Sequence, residues 1–383
     1  MIDPSDGGGF RWWRQPRISW FVYMIIIFIS FVSIVVHFTR DRRESRYSVV
    51  FEARENSTRV QLFRLDWREG YWNLLAEEYG STSPGLLDYI DSPREGVYSL
   101  KLLFEQAINA IPESHQAVST VSLGVTELFH HLQRENDPRI EQLFGMIYRL
   151  LFRARSSPFH KAHLVFINET QEVAYTWSAI SLLRNTRGNH IAVLNLGRYR
   201  CQICFVPETM NATTAFDRFR KRVDLYVANY ERLGIDNART EILGKSRPGT
   251  CDSHSAPGPK FMECLEAVKN HLDDVGVEPM PDLRKKTIYV RGFFFNFAVY
   301  ANLIQEHENR QTIKVLYIGS RARAACEDRR RGAASICFEL TYMYALFTQG
   351  YSLDDEDELV FVRRVEIADA SWTLGLAISH VYD

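Results

Sequence analysis

The sequence predicts an α/β protein, a duplicated two-lobe body behind one N-terminal membrane helix. Three observations predict it. Strand-like and helix-like hydrophobic patterns alternate along the body instead of segregating. A strand–turn–strand unit at Tyr47–Leu65, YSVVFEARENSTRVQLFRL, recurs at His190–Pro207, HIAVLNLGRYRCQICFVP, roughly 140 residues later. An uncharged apolar stretch, Ile18–Phe38, precedes both.

That stretch is long enough to cross a bilayer, which takes about 20 residues. It is followed by no small-residue cleavage site, so a retained anchor is expected rather than a removed signal peptide. Arginines flank it on both sides (Arg11, Arg14 and Arg17; Arg40, Arg42, Arg43 and Arg46), so charge alone does not orient it. Three sequons, at Asn56, Asn168 and Asn211, and all six cysteines follow it. Together they place the N-terminus in the cytosol and the body in an oxidising lumen, a single-pass type II arrangement. The expected organisation is a tail at 1–17, an anchor at 18–38 and a stem at 39–46. Lobe I then takes 47–165 plus 365–383, and lobe II takes 166–364.

The body is large enough for two cores, at 46% hydrophobic and 13% aromatic residues over the chain. A net charge of −1 points to no nucleic acid partner. Cys251 and Cys264 bracket a Gly/Pro/Ser-rich loop, and Cys326 and Cys337 bracket a basic one. In an oxidising lumen these make two local staples, each worth about 3 kcal/mol. Cys201 and Cys204 fall on a strand, facing opposite sides, and read as buried thiols.

Helical spacing marks GVYSLKLLFEQAINAI and DPRIEQLFGMIYRLLFRA, and ETQEVAYTWSAISLLRN reads as a polar loop, carrying Glu172, that enters a helix. FELTYMYALFTQGYSL is a further helix, ended at Gly350. The acidic run Asp354–Glu358 makes a solvated turn before the strand LVFVRRVEI. Its Asp355-Glu356-Asp357 fits the Asp-x-Asp pattern of metal-dependent glycosyltransferases, but acidic turns fit that pattern constantly.

These residues resemble the apyrase, or ecto-nucleoside diphosphohydrolase, family. FEARENSTRVQ stands for FDAGSSHTRVQ, VSLGVTELFHHL for LGATAGMRLL, QEVAYTWSAISLL for EEGAYGWITINYLL, and VLNLGRYRCQICF for ALDLGGASTQITF, in the family's order. CFELTYMYALFTQGYSL and ASWTLGLAI match its C-terminal segments, most like the Golgi and endoplasmic-reticulum nucleoside diphosphatases. The resemblance implies an actin-like (ribonuclease-H-like) fold with a nucleotide in the cleft between lobes. It also implies Ca or Mg bridging the phosphates, held largely through water, and a glutamate that orients the attacking water.

By that resemblance the glutamate is Glu172, and Thr126, Gln202 and Trp372 match supporting positions. The phosphate turns depart from the pattern. Such turns cradle phosphate only where small residues let backbone N–H groups approach. Here Arg54 stands for Gly, Glu55 and Asn56 for two serines, and Glu52 for the first Asp. In the second turn Gly197 is kept, while Asn195 stands for Asp, Arg198 for Gly and Arg200 for Ser. Glu127, Leu128 and His130 replace Ala, Gly and Arg of a further motif. A carboxylate about 4 Å from a phosphate oxygen costs about 4 kcal/mol at an effective dielectric near 20. A lost preorganised donor costs roughly 3 to 4 kcal/mol in the transition state.

The new arginines can clamp phosphate, or they can pair with Glu52 and Glu55 and close the cleft. A glycan on Asn56 would occupy the cleft. Phe293, Phe294, Phe295, Phe297 and Tyr300 lie where the family surrounds its base, and an apolar core helix explains them equally well. The expectation is a luminal apyrase-fold protein, in the Golgi, the endoplasmic reticulum or the plasma membrane, with hydrolysis lost or strongly reduced and a binding or regulatory role. Its rivals are an active UDP/GDP diphosphatase and a structural protein with an empty cleft.

Overall fold

Two β-sheets with one shared strand plan define the body, as the sequence echo requires. A computed structural model of the protein describes residues 25, 27–30, 44–54, 57–68, 71–125, 138–149, 157–247 (except 185, 187 and 219), 249–251, 260–327 and 333–382. Most of the anchor expected at 18–38, together with Thr126, Glu55 and the Asn56 sequon, lies outside them. Residues 25 and 27–30 are helical and exposed, and among the described residues no helix is long and apolar enough to cross a membrane.

The first sheet begins with β1 (Ser45–Ala53), β2 (Thr58–Arg68) and β3 (Tyr71–Thr82), antiparallel neighbours in sequence. Helix α1 (Pro93–Ala110) leads to β4 (Thr120–Val125), which runs parallel to β1. After α2 (Pro138–Tyr148), β5 (Lys161–Phe166) adds beside β4 in parallel, giving the order β3-β2-β1-β4-β5. Helix α3 (Glu169–Leu183) then crosses to the second sheet.

The second sheet repeats the plan. It opens with β6 (Ile191–Leu196) and β7 (Cys201–Phe205), an antiparallel hairpin like β1–β2. Two more strands follow, β8 (Thr214–Arg218) and β9 (Lys221–Tyr230), the latter beside β7. Helices α4 (Ile235–Lys245) and α5 (Phe261–Val275) precede β10 (Thr287–Gly292), parallel to β6 as β4 is to β1. Next come α6 (Phe293–Tyr300), β11 (Arg310–Lys314), α7 (Val315–Glu327) and α8 (Ala333–Ala345). β12 (Glu358–Val362) closes the parallel set beside β10, with β11 antiparallel at the edge. A short hairpin, β13 (Arg364–Val365) with β14 (Ala368–Asp369), turns into α9 (Trp372–Tyr382).

Both faces of β1 and β2 are covered, so burial along them is near-continuous rather than alternating. Val49, Phe51, Val60 and Leu62 join the core under α1 and α2, while Val50, Phe63 and Leu65 join a second core with α3 and α9. Cys201 and Cys204 part in the same way, Cys201 to the outer core of the second sheet and Cys204 to the central one. Neither forms a disulfide, and burial pushes the Cys201 thiol up to about 12 and Cys204 higher still. Cys251–Cys264 and Cys326–Cys337 are both bonded, as the spacing predicts.

The central core is the joint of the molecule. Trp177 on α3 is fully buried there and donates its indole N–H to the Ile191 carbonyl at 3.2 Å. Helices α3 and α9 cross at Gly375, where a Cβ would fall 2.2 Å from the Tyr175 carbonyl oxygen. Glycine inside an exposed helix costs about 1 kcal/mol relative to alanine, so its presence here marks a close approach of two backbones. Gly375→Ala is therefore expected to destabilise the body by about 1–3 kcal/mol, opposite in sign to its propensity effect. A urea unfolding midpoint at or above that of the unchanged protein would show that the helices are free to separate.

Candidate functional site

The carboxyl ends of the parallel strands point toward one crevice, the place where open α/β sheets bind ligands. Glu52 lies near the end of β1 with Arg54 just beyond it, Asn195 lies near the end of β6, and Arg291 and Gly292 end β10. Gly292 holds φ +73°, and a Cβ there would meet the Leu196 carbonyl at 2.3 Å and Asn195 Oδ1 at 2.9 Å. Only glycine lets the chain turn here from β10 into α6, and that turn fixes where Arg291 projects.

Glu172 lies in the first turn of α3, not in a loop. The helix starts earlier than its polar sequence implies because Asn168 caps it. Asn168 Oδ1 accepts the Gln171 N–H at 2.8 Å, and Gln171 Oε1 accepts the Asn168 N–H at 3.1 Å. Such a reciprocal cap contributes about 1 kcal/mol. Asn168 and Asn211 are both exposed.

The charges at the crevice neutralise one another. Arg54 Nη2 sits 2.7 Å from Glu52 Oε2, whose side chain is buried. Burial pushes the Glu172 carboxyl up; Arg291 and Arg54 pull it down less strongly, and Glu52 adds to the rise. Burial pushes the Arg291 guanidinium down, opposed by Glu172 and Glu52. Among the described residues Arg291 makes no direct hydrogen bond or ion pair through its side chain.

The second turn is occupied by its own side chains. Asn195 Nδ2 donates to Gln202 Oε1 at 2.7 Å, and Gln202 Nε2 donates to the Glu169 carbonyl at 2.9 Å and to Asn229 Oδ1 at 3.1 Å. The turn closes through the Gly197 N–H to the Arg200 carbonyl at 2.8 Å. Arg198 pairs with Asp236 at 3.7 Å and Arg200 with Glu169 at 3.0 Å. Arg54 thus pairs with Glu52, while the two arginines of the second turn find other carboxylates. Trp372 starts α9, buried, with its ring over Gly124 of β4. Its surroundings are those of a packing residue, and Thr126, one residue past β4, lies outside the described residues.

Five arginines line the crevice's cavity of 470 Å³, namely Arg54, Arg59, Arg291, Arg363 and Arg364, against a single lining carboxylate, Asp369. Arg59 reaches Asp369 at 3.4 Å and lies over the Tyr79 ring at 5.4 Å. Arg364 pairs with Glu77 at 3.4 Å. Arg363 is exposed and lies 4.8 Å over the Phe295 ring, with no side-chain ion pair among the described residues. Sequence reasoning missed Arg59, Arg291, Arg363 and Arg364. The signal for two of them was positional, an arginine at the end of a strand of the parallel set, and no motif carries it.

Phe294, Phe295 and Phe297 of α6 are buried, while Tyr300 is exposed. The core accounts for the first three, with Phe294 against Phe347.

The sequence profile of the GDA1/CD39 (nucleoside phosphatase) family matches residues 38–240 and 295–383. This chain belongs to that family. It is 25% identical over 387 aligned residues to the human nucleoside diphosphate phosphatase ENTPD5, covering 87% of this chain and 89% of that protein. It is 21% identical to a pea nucleoside-triphosphatase, covering 90% of each. Among solved structures, nucleoside triphosphate hydrolases from Neospora caninum share the fold at a TM-score of 0.61 and 12% identity, covering 93% of this chain and 96% of that one. A Ppx/GppA family member from Aquifex aeolicus does so at 0.52 and 15%, covering 88% and 98%. The two-sheet, actin-like fold expected from the resemblance is therefore the observed one. The profile passes over 241–294, the segment that contains β10 and Arg291.

Members of this family depend on a divalent cation, so the donor set matters. A small hard cation takes oxygen ligands, with carboxylates supplying the charge. Here Glu52 is engaged by Arg54, Asn195 contributes a neutral amide held by Gln202, and Arg291 opposes Glu172. No group of three His, Cys, Asp or Glu side chains among the described residues is placed to hold a metal. With guanidinium groups already balancing the carboxylates, these residues do not fit a divalent cation.

Glu172 also links the site to stability. A carboxyl raised in the folded state contributes stability that is complete below the ordinary carboxylate value and lost as pH rises through the folded value. Glu172→Gln, fixed in the neutral form, is expected to raise Tm near pH 7.5 and to leave it unchanged near pH 4. A lowered Tm near neutrality would mean that attraction to Arg291 outweighs burial.

Proposed function

We propose that this nucleoside phosphatase family member binds rather than turns over its ligand, with hydrolysis lost or strongly reduced, and acts as a binding or regulatory protein. The observation that carries the reading is the Glu52–Arg54 pair at 2.7 Å inside the first turn. It puts a guanidinium where phosphate must approach the backbone and takes the carboxylate that would serve a metal. Burial raises the Glu172 carboxyl, and Arg291, Glu52 and Arg54 are the charged groups around it.

The two disulfides support an oxidising compartment. We place the body in the lumen of the Golgi or endoplasmic reticulum, anchored through 18–38, with glycans at Asn168 and Asn211. Lobe I is 47–165 with 365–383, and lobe II is 166–364.

The test is phosphate release from UDP, GDP, ADP and ATP by the full-length protein from a secretory host, with Ca or Mg present. Turnover well below about 1 per second, unchanged by Glu172→Ala, is the expected result. Turnover above that level, abolished by the same substitution, would establish the rival reading, an active UDP/GDP diphosphatase.

A further inference from the structure

The cavity between β1–β2 and the ends of β10 and β12 combines features that a merely closed cleft does not need. Its volume of 470 Å³ lies within the usual range for small-ligand sites, about 300–1,000 Å³. Two of its five arginines, Arg291 and Arg363, have no direct carboxylate partner among the described residues. Arg291 faces Glu172 and Glu52 without a direct contact and Arg363 lies over Phe295, so the donors of both remain open to an anion in the cavity. Arg54 and Arg59, though paired, each engage a carboxylate through one nitrogen, Nη2. A guanidinium carries five N–H donors, so both keep donors for a second oxyanion. Tyr79, 63% exposed, borders the same cavity.

We propose that this cavity binds a short oligophosphate, free or carried on a nucleoside, without a divalent cation, the guanidinium groups of Arg54, Arg291 and Arg363 supplying the positive charge. The proposal deepens the preceding reading of the cleft as a binding site. In a metal-bridged site the cation neutralises both the protein carboxylates and the phosphate. Here Arg54 lies against Glu52 while Arg291 stands opposite Glu172, and both line the cavity. Planar guanidinium groups accept phosphate oxygens in paired N–H···O contacts. Binding by side chains in this way removes the need for bare backbone turns, so the bulky first turn and the retained cleft become compatible.

The experiment is calorimetric titration of the full-length protein with pyrophosphate, ADP, UDP and uridine, each in EDTA and again with Mg. Pyrophosphate and the diphosphates are each expected to bind as tightly in EDTA as with Mg, and uridine not to bind. Arg363→Ala and Arg291→Met are each expected to weaken binding roughly tenfold to hundredfold, while Arg94→Ala, on α1, leaves it unchanged. Arg363 is exposed, so its truncation reports on binding even if Arg291→Met fails to fold. ADP or UDP binding much more tightly than pyrophosphate would support the nucleoside-borne form, with the base against Tyr79; equal affinity would support the free anion. Binding that disappears in EDTA and returns with Mg overturns the proposal, as does binding indifferent to Arg363→Ala, or no binding. Metal-dependent binding without turnover would sink this inference and leave the preceding one standing.

Discussion

Charge balance at the strand ends sets the chemistry of this molecule. Glu52 and Glu172 approach one crevice from different elements, one at the end of β1 and one in the first turn of α3. In water two such groups would be worth little to each other; partly withdrawn from it, each needs an opposite charge. Arg54 and Arg291 meet that need from within the chain. A carboxylate that is already paired with a guanidinium attracts a divalent cation weakly, and this is the physical basis of the binding role proposed above.

The fold delivers these groups through duplication. In each half a hairpin opens the sheet, a parallel strand adds beside its first member, and another parallel strand follows, so β1, β4 and β5 match β6, β10 and β12. The carboxyl ends of both sets converge, and α3 and α9, crossing tightly at Gly375, fix the central core between them. Changes in the hairpin turns leave this framework intact, because the strands are held by ladder hydrogen bonds and by apolar residues buried on both faces. Fold and site chemistry therefore rest on different residues, the first on the apolar strand positions and the second on a few polar side chains at the hairpin ends.

The second turn satisfies its polar side chains internally. Asn195 and Gln202 satisfy each other, and Gln202 extends to Asn229 and the start of α3. A buried amide pair joined in this way rigidifies the hairpin. Arg200 pairs with Glu169 at the head of α3, beside the helix turn that carries Glu172.

Hydrophobic periodicity and the hairpin echo determined the alternating α/β order, the duplicated sheets and the opposite facing of Cys201 and Cys204, since these follow from side-chain spacing along a local element. The spacing of Cys251 with Cys264 and of Cys326 with Cys337 determined both staples, each closing a short loop. Local pattern also fixed which turn residues are bulky. It did not fix where their charges go: Arg198 and Arg200 find Asp236 and Glu169, on helices their own strands do not reveal. Glu172 read as a loop residue because its surroundings are polar, and only the Asn168 cap, with burial against the second sheet, made that segment helix. Arg59, Arg291 and the adjacent pair Arg363 and Arg364 come from three distant segments and share no motif. Tertiary structure alone brings them to one cavity, because long-range strand order, not sequence proximity, decides which strand ends meet.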